Sequence, residues 1–406
     1  MRHLLSVLLI VGWLPVAAQS ETWFHVTERG DTVRYTYTPT SDGTAQLVPQ
    51  EPPKRGFLRR VVDYFGQSTE DHTFDKKIDI TFAGGPSYSK TTKLGLGVLA
   101  AGLYRLDRTD SITPPSDISI FANVTTSGFY SFGVTGNTIF RNSVRRLSYD
   151  VSFSSAPRDV WGIGYDAGRF NPKSDFVEQS YIIKARFLQR LFTNTYGGVM
   201  LNFNHTSGRK FDEVSESYIY GQKHAYTATG FGALLEYDSR DFIPNPSRGH
   251  YLSIEATYFD KALGNCDRSL WRLTFTANTY KQLWSSGLIA FDLHGEFNSE
   301  GTPWPLLARL GGNERMRGYY LGQYTDNSML TFQMELRQRI WRRIGCVVWG
   351  GAGNVFSKRE KFSWDNTLPN YGVGLRWELK KRVNVRMDYG FGRKTSGFLL
   401  SINEAF

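Results

Sequence analysis

The stretch LTFQMELRQRI, residues 330–340, decides the fold. Leu330, Phe332, Met334, Leu336 and Ile340 recur at even spacing, while Thr331, Gln333, Glu335, Arg337 and Arg339 fill the alternate positions. Successive side chains of a strand point to opposite faces, so this segment is a strand that is apolar on one side and charged on the other. The same alternation sets Val383, Val385, Met387, Tyr389 and Phe391 against Asn384, Arg386, Asp388 and Gly390. It also sets Tyr371, Val373, Leu375, Trp377 and Leu379 against Gly372, Gly374, Arg376 and Glu378. A sandwich would hide one such face in a dry core, which cannot take that much charge, whereas a water-filled barrel lumen can.

Extended over residues 72–406, the same test marks sixteen segments, the first at 77–86 and the last at 397–406. The reading is an all-β, 16-stranded antiparallel transmembrane β-barrel, an even strand number as expected of single-chain outer-membrane barrels. With the N-terminus in the periplasm, long connections at 156–176, 207–223 and 299–327 fall on the outside and short turns at 190–192, 284–286 and 381–382 on the inside. The first two outer connections read as short turns, at 86–89 and at Ser127. In the final segment Phe398, Leu400, Ile402 and Phe406 share the outward face, with Glu404 as its one charged member. Cys266 falls in an outer loop and Cys346 near an inner turn, so the two do not pair.

Composition agrees with that reading. Forty Gly, 28 Phe, 22 Tyr and 10 Trp occur in 406 residues whose mean hydropathy is only −0.37. Alternating strands produce this profile, and a helical membrane bundle is excluded because no run of 18 apolar residues follows residue 20. The net charge of +10 is assigned to a solvated lumen and to loops facing lipopolysaccharide rather than to nucleic acid. Two cysteines and no paired Cys-x-x-Cys leave no disulfide framework and no structural zinc site.

Residues 1–18, MRHLLSVLLIVGWLPVAA, carry Arg2 before a short apolar core and end on Val16 and Ala18, the pattern of a signal peptide. Residues 19–71 form a short periplasmic segment of a different character. Trp23 to Val26 and Val33 to Thr38 flank a Glu-Arg-Gly-Asp turn and predict a hairpin, Pro52 and Pro53 interrupt regular structure, and Phe57, Leu58, Val61, Val62 and Phe65 recur at helical spacing. That amphipathic turn could lie at the membrane interface, plug the barrel or pack on its rim, and the sequence leaves the three open. Residues 72–406 are the barrel.

The connection before the twelfth segment reads GGNERMRGYYLGQYTDNSMLTFQMELR. Gly311-Gly312, Arg317-Gly318-Tyr319 and Gly322, followed by Glu335-Leu336-Arg337, resemble the sixth-loop motif of the bacterial surface antigen superfamily. Its members include the central subunit of the barrel assembly machinery, the translocation and assembly module and two-partner secretion pores. Asp238-Ser239-Arg240-Asp241 with Pro246 and Arg248-Gly249, Gly372 to Trp377, and Arg386 to Gly390 resemble other family pieces in the same order, so the resemblance covers about residues 225–406. It implies that the sixth outer loop folds into the lumen and that Arg317 is pinned there by acidic residues, Glu335 being one. The second expected acid falls on Gly351, in Trp349-Gly350-Gly351-Ala352-Gly353, which leaves Asp388 as the candidate substitute. Arg337 and Arg376 join these residues as lumenal partners of the loop. Assembly and secretion members also carry POTRA repeats, for which residues 19–71 are too short, so the resemblance is to the repeat-lacking branch.

No nucleophile elbow, zinc-binding helix, P-loop or Ser/His/Asp set occurs, so the chain is expected not to be an enzyme and to need no cofactor or metal. His294 beside Asp292 and Glu296 reads as a hydrated lumenal network, and the Gly-x-Gly pairs at Gly95, Gly162 and Gly372 as kinks or tight neighbours of a lumenal loop. The functional expectation is a barrel in the bacterial outer membrane that helps insert or transport proteins. It would do so through a seam between its first strand, with Gly84 and Gly85, and its last, with Phe398, Leu400, Ile402 and Phe406. The partners implied are outer-membrane lipid, lipopolysaccharide and assembly or secretion proteins that supply periplasmic modules. The alternative is a solute-conducting pore or a structural barrel.

Overall fold

The computed structural model describes strands at 23–26, 32–39 and 45–50, and residues 73–406 apart from 90, 91, 244, 381, 382 and 403. The chain divides into two compact units, Met1–Tyr64 and Phe65–Phe406. In the first, β1 (Trp23–Val26) pairs antiparallel with β2 (Thr32–Pro39), and β2 with β3 (Ala45–Gln50). The third strand was not anticipated by the hairpin reading. The signal-peptide segment 1–18 and the amphipathic turn at 57–65 lie outside the described residues.

In the second unit, sixteen antiparallel strands close into a barrel. They are β4 (Asp79–Ser89), β5 (Lys93–Tyr104), β6 (Ser116–Thr125), β7 (Tyr130–Ile139), β8 (Arg145–Val160), β9 (Ser174–Phe192), β10 (Thr195–Arg209) and β11 (Ala225–Asp238). There follow β12 (Gly249–Asp260), β13 (Leu270–Trp284), β14 (Gly287–Asn298), β17 (Ser328–Trp341), β18 (Ile344–Phe356), β19 (Leu368–Lys380), β20 (Val383–Gly392) and β21 (Thr395–Ile402). The remaining pair, β15 (Ala308–Leu310) and β16 (Tyr324–Asp326), forms a small hairpin inside the connection between β14 and β17. The connections at 161–173, 210–224, 299–327 and 357–367 all leave one end of the barrel. Two-residue turns at 193–194, 285–286 and 342–343 close strands at the other end.

The faces sort as alternation requires. On β19, Tyr371, Val373 and Leu375 are exposed on the outside, while Gly372, Gly374 and Arg376 are buried on the inside. Leu94, Leu96 and Val98 on β5 and Leu252 and Ile254 on β12 continue this outward apolar band. So extended an apolar exterior is unfavourable in water and matches a hydrocarbon surrounding. The buried apolar core sits inside the barrel at the long-connection end, where Tyr165, Leu310, Met316, Tyr319, Tyr324 and Val355 pack together.

Three boundaries differ from the sequence reading. Residues 86–89 are not a turn: β4 runs through Pro86, which pairs with Leu96. Proline has no N–H for a second neighbour and is tolerated in a strand only at an edge. Accordingly β4 behaves as one, since among the described residues it meets β21 at a single register pair, Tyr88 opposite Leu400. By contrast β8 and β9 pair from Arg145–Gln189 to Val160–Ser174. The second correction concerns Glu404, which is not on the outward face. Pairing of β21 with β20 ends at Ile402 opposite Val385, and the chain then turns inward. Glu404 is buried against Arg376 and Asn384 in the lumen. Third, Phe406 is not part of the seam strand: its ring lies 5.2 Å from the Arg337 guanidinium, beside Tyr280.

Candidate functional site

The connection 299–327 crosses the barrel interior, held by arginines spaced along it. Arg309, on β15, lies against Glu178 of β9 at 3.1 and 3.3 Å, and Arg158 of β8 forms an ion pair with the same carboxylate at 2.8 Å. Arg315 forks onto Asp292 of β14 at 2.8 and 3.0 Å, and Gln333 donates to that carboxylate at 3.1 Å. Arg317 reaches a third wall. Its Nη1 donates to Asp388 Oδ2 of β20 at 2.8 Å and its Nη2 to Glu335 Oε1 of β17.

Arg317 is fully buried, and backbone conformation places it there. Its neighbours Met316 and Gly318 both have positive φ, 52° and 100°, so the loop turns sharply on either side of it. At Gly318 only glycine fits, because a Cβ would sit 2.5 Å from the Gly390 carbonyl oxygen. The wall beneath is cleared by glycines. A Cβ at Gly374 would fall on Asp388, one at Gly390 on the Arg317 carbonyl, and one at Gly392 on the Tyr319 ring. Trp349 then lies flat under the guanidinium, 3.7 Å from ring centroid to Cζ, and its Nε1 donates to Asn370 at 3.0 Å. Tyr319 completes the clamp by donating to the Pro369 carbonyl at 2.8 Å and accepting from Arg393 N at 2.6 Å. Burial pushes its phenol up to about 12, which keeps it a neutral donor.

Around Arg317 the charges alternate in a ring. Glu335 accepts from Arg337 at 2.9 Å, Arg337 lies 3.9 Å from Glu404, Glu404 accepts from Arg376 at 2.8 Å, and Arg376 donates to Asp388 at 2.5 Å. Asp388 returns to Arg317, and Arg386 stands 3.7 Å from it. Burial removes the water that would otherwise screen these charges, so each depends on its neighbours.

The sequence-predicted residues are thus brought together, with one correction. Glu335 and Asp388 touch the loop, whereas Arg337 and Arg376 bond to those carboxylates and reach the loop through them. Gly351 does not substitute for an acid, because its Cβ would meet the backbone of Phe332 and Gln333 on β17. Gly311, Gly312 and Gly322 have positive φ and shape the loop's turns without touching the ring. Gly84 and Gly85 lie on β4, opposite Val98 and Gly97 of β5. Phe398 and Leu400 lie on β21, where the Phe398 ring is 5.9 Å from that of Tyr88 across the seam. Among direct side-chain contacts His294 pairs with Thr276, Asp292 with Arg315, and Glu296 with Arg272. Sequence reasoning missed the anchors at Arg309 and Arg315. A buried lumenal carboxylate such as Asp292 requires a cation, but nothing in the sequence says that a loop supplies it.

A family model described as the Omp85 superfamily domain matches residues 117–406. No curated protein sequence matches the chain. Among solved structures, BamA from Haemophilus ducreyi lacking POTRA domains 1-3 is similar at 11% identity, over 95% of this chain and 90% of that one, with a TM-score of 0.54. CdiB from Escherichia coli is similar at 10% identity over 92% of this chain and 68% of that one, with a TM-score of 0.57. CdiB from Acinetobacter baumannii is similar at 11% identity, over 92% and 65%, with a TM-score of 0.54. At these identities the structural likeness concerns the fold.

Proposed function

The chain belongs to the Omp85 superfamily, and on that footing we propose that it assists the insertion or transport of proteins at the outer membrane through the seam between β4 and β21. The observation that carries the reading is the seam itself. One register pair joins β4 to β21 among the described residues, against eleven between β4 and β5, and a strand so weakly paired on one side can pair with another chain. The loop supports the same reading against a solute pore, because residues 299–327 cross the lumen and are anchored to several walls. In this proposal the short turns and the N-terminal unit face the periplasm, partner proteins deliver the client, and the barrel acts without a cofactor or catalytic step.

The test is a disulfide across the seam, with Tyr88→Cys and Leu400→Cys in the native outer membrane. Loss of protein assembly or export under oxidising conditions, restored by reductant, is the expected result. Full activity with the seam locked refutes gating there. Stable ion conductance of the purified barrel in lipid, unaffected by the lock, would favour the pore.

A further inference from the structure

Besides the lumenal arginines, positive charge gathers at the short-turn end of the barrel. The turn between β17 and β18 reads Arg339-Ile340-Trp341-Arg342-Arg343-Ile344. It belongs to the short-turn end, and the neighbouring β13–β14 turn brings Trp284 beside it. Ile340, Trp341, Ile344 and Trp284 are all exposed, interleaved with the cations. The aromatics are held in place rather than loose. Arg342 lies 4.8 Å over the Trp341 ring, and Trp284 Nε1 donates to Gln338 at 2.7 Å.

Behind this turn lies a cavity of about 260 Å³, lined by Ser285, Ser286, Gln338, Arg339, Arg343 and, at its inner side, Arg337 and Arg376. Two carboxylates line it as well, Glu378 and Glu404, and its inner arginines are already engaged, Arg337 by Glu335 and Arg376 by Glu404 and Asp388, so Arg339 and Arg343 are the cations it presents at the rim. At about 30 Å³ per water the space holds roughly nine, which is room for a phosphate with its glycerol. A cation cluster of this density draws anions. Exposed Trp and Ile within the same turn are favourable only against hydrocarbon, which an acidic protein surface does not offer.

We propose that the short-turn rim around Arg339–Ile344 binds the phosphate headgroup of an anionic membrane lipid, with Trp341, Ile340, Trp284 and Ile344 against its acyl chains. The proposal needs the barrel to sit in a bilayer but not the client-handling role, so the two stand or fall separately. Each basic residue near an anionic surface changes lipid retention by up to roughly fivefold. Three neutralised together therefore lower it by at least about tenfold even if each acts well below that ceiling.

The experiment compares the full chain in phosphatidylcholine nanodiscs with and without phosphatidylglycerol, using native mass spectrometry to count co-retained lipid. Enrichment of phosphatidylglycerol that falls with added KCl, and falls at least about tenfold in the triple variant R339Q/R342Q/R343Q, is the expected result. The control K358Q/R359Q/K361Q, with the same charge loss at the long-connection end, keeps the enrichment. Equal retention of both lipids, insensitivity to salt, or equal loss in the control overturns the proposal. Displacement of the lipid by inorganic phosphate at matched concentration would mark a site for free anions instead. The salt series on the unaltered chain gives an answer even if the triple variant does not fold.

Discussion

Replacing Asp388 by Asn should release the lumenal loop, and the size of the effect follows from the charges around it. Asp388 accepts from Arg317 at 2.8 Å and from Arg376 at 2.5 Å, with Arg386 at 3.7 Å. Without it, four buried arginines share two carboxylates, Glu335 and Glu404. Removing one partner of a buried ion pair costs about 3–5 kcal/mol, and because Arg317 keeps Glu335 the lower end applies, about 3 kcal/mol. At about 1.4 kcal/mol per decade this is on the order of a hundredfold in the opening equilibrium of the loop. Hydrogen exchange of peptides covering residues 311–323, in the membrane-inserted protein, reads that equilibrium directly. Protection that changes by less than about twofold refutes the pin, since it would mean that the Arg317–Asp388 contact contributes almost nothing. A second arm tests the geometry. Adding Gly351→Asp, which restores the carboxylate at the position where the family resemblance puts it, should not rescue the loop, because the new Cβ meets the Phe332 and Gln333 backbone. Rescue would show that the wall of β17 and β18 is more yielding than its register implies.

Further outcomes follow from the same geometry. Asp326, in the long connection outside the barrel strands, is pushed up to about 6 by burial and then by the nearby Glu360. Its folded form therefore holds the proton more tightly than the unfolded one. Protection of this segment should fall as pH rises from about 4 to about 6 and then level off, and Asp326→Asn should flatten the profile in pH-resolved hydrogen exchange. Gly374→Ala, which drives a methyl into Asp388, should lower barrel stability by about 1–3 kcal/mol, measured as the urea midpoint in micelles. Glu335→Gln and Glu404→Gln should couple by about 0.5–3 kcal/mol in a double-mutant cycle on loop protection, because Arg337 lies between the two carboxylates. Additivity within error would separate the loop from the end of β21.

What the sequence made legible was whatever repeats locally. Period-2 alternation marked all sixteen strands because each has one face toward lipid and one toward the lumen, and the two faces differ in chemistry at every residue. The errors came where the local rule stopped applying. Pro86 and Ser87 read as a turn, yet a proline fits a strand whose far side meets its neighbour at one register pair among the described residues. Glu404 and Phe406 were placed by extending the alternation past Ile402, but it holds only while a ladder enforces it. Asp388 was visible as an inward charge on β20, and Gly351 as a missing one. That the former replaces the latter depends on strands 71 residues from Arg317, a pairing that only closure of the barrel creates. The Arg315 and Arg309 anchors were hidden for the same reason.

If the seam opens as proposed, the charge ring bears on which side of it moves. On one side β21 is paired to β20 from Gly392–Thr395 to Val385–Ile402, and just beyond it Glu404 is bonded to Arg376 and Asn384. Arg337 holds the Phe406 carbonyl oxygen at 2.8 Å as well. Pulling this strand away would strand Arg376 beside a single carboxylate, and through Arg337 it would loosen the Glu335 that pins the loop. On the other side, β4 is tied to β5 along its length, from Asp79–Leu103 to Ser89–Lys93, and among the described residues to β21 by one register pair. Parting the seam by a swing of the β4–β5 hairpin therefore breaks little. Parting it by a swing of β21 breaks the buried ion pairs, at several kcal/mol. Spin labels on β4 and on β21, each measured against β13, separate the two motions. A distance change confined to β4 agrees with this geometry, and one confined to β21 would mean that the ring gives way first, so that opening the seam and releasing the loop are a single event.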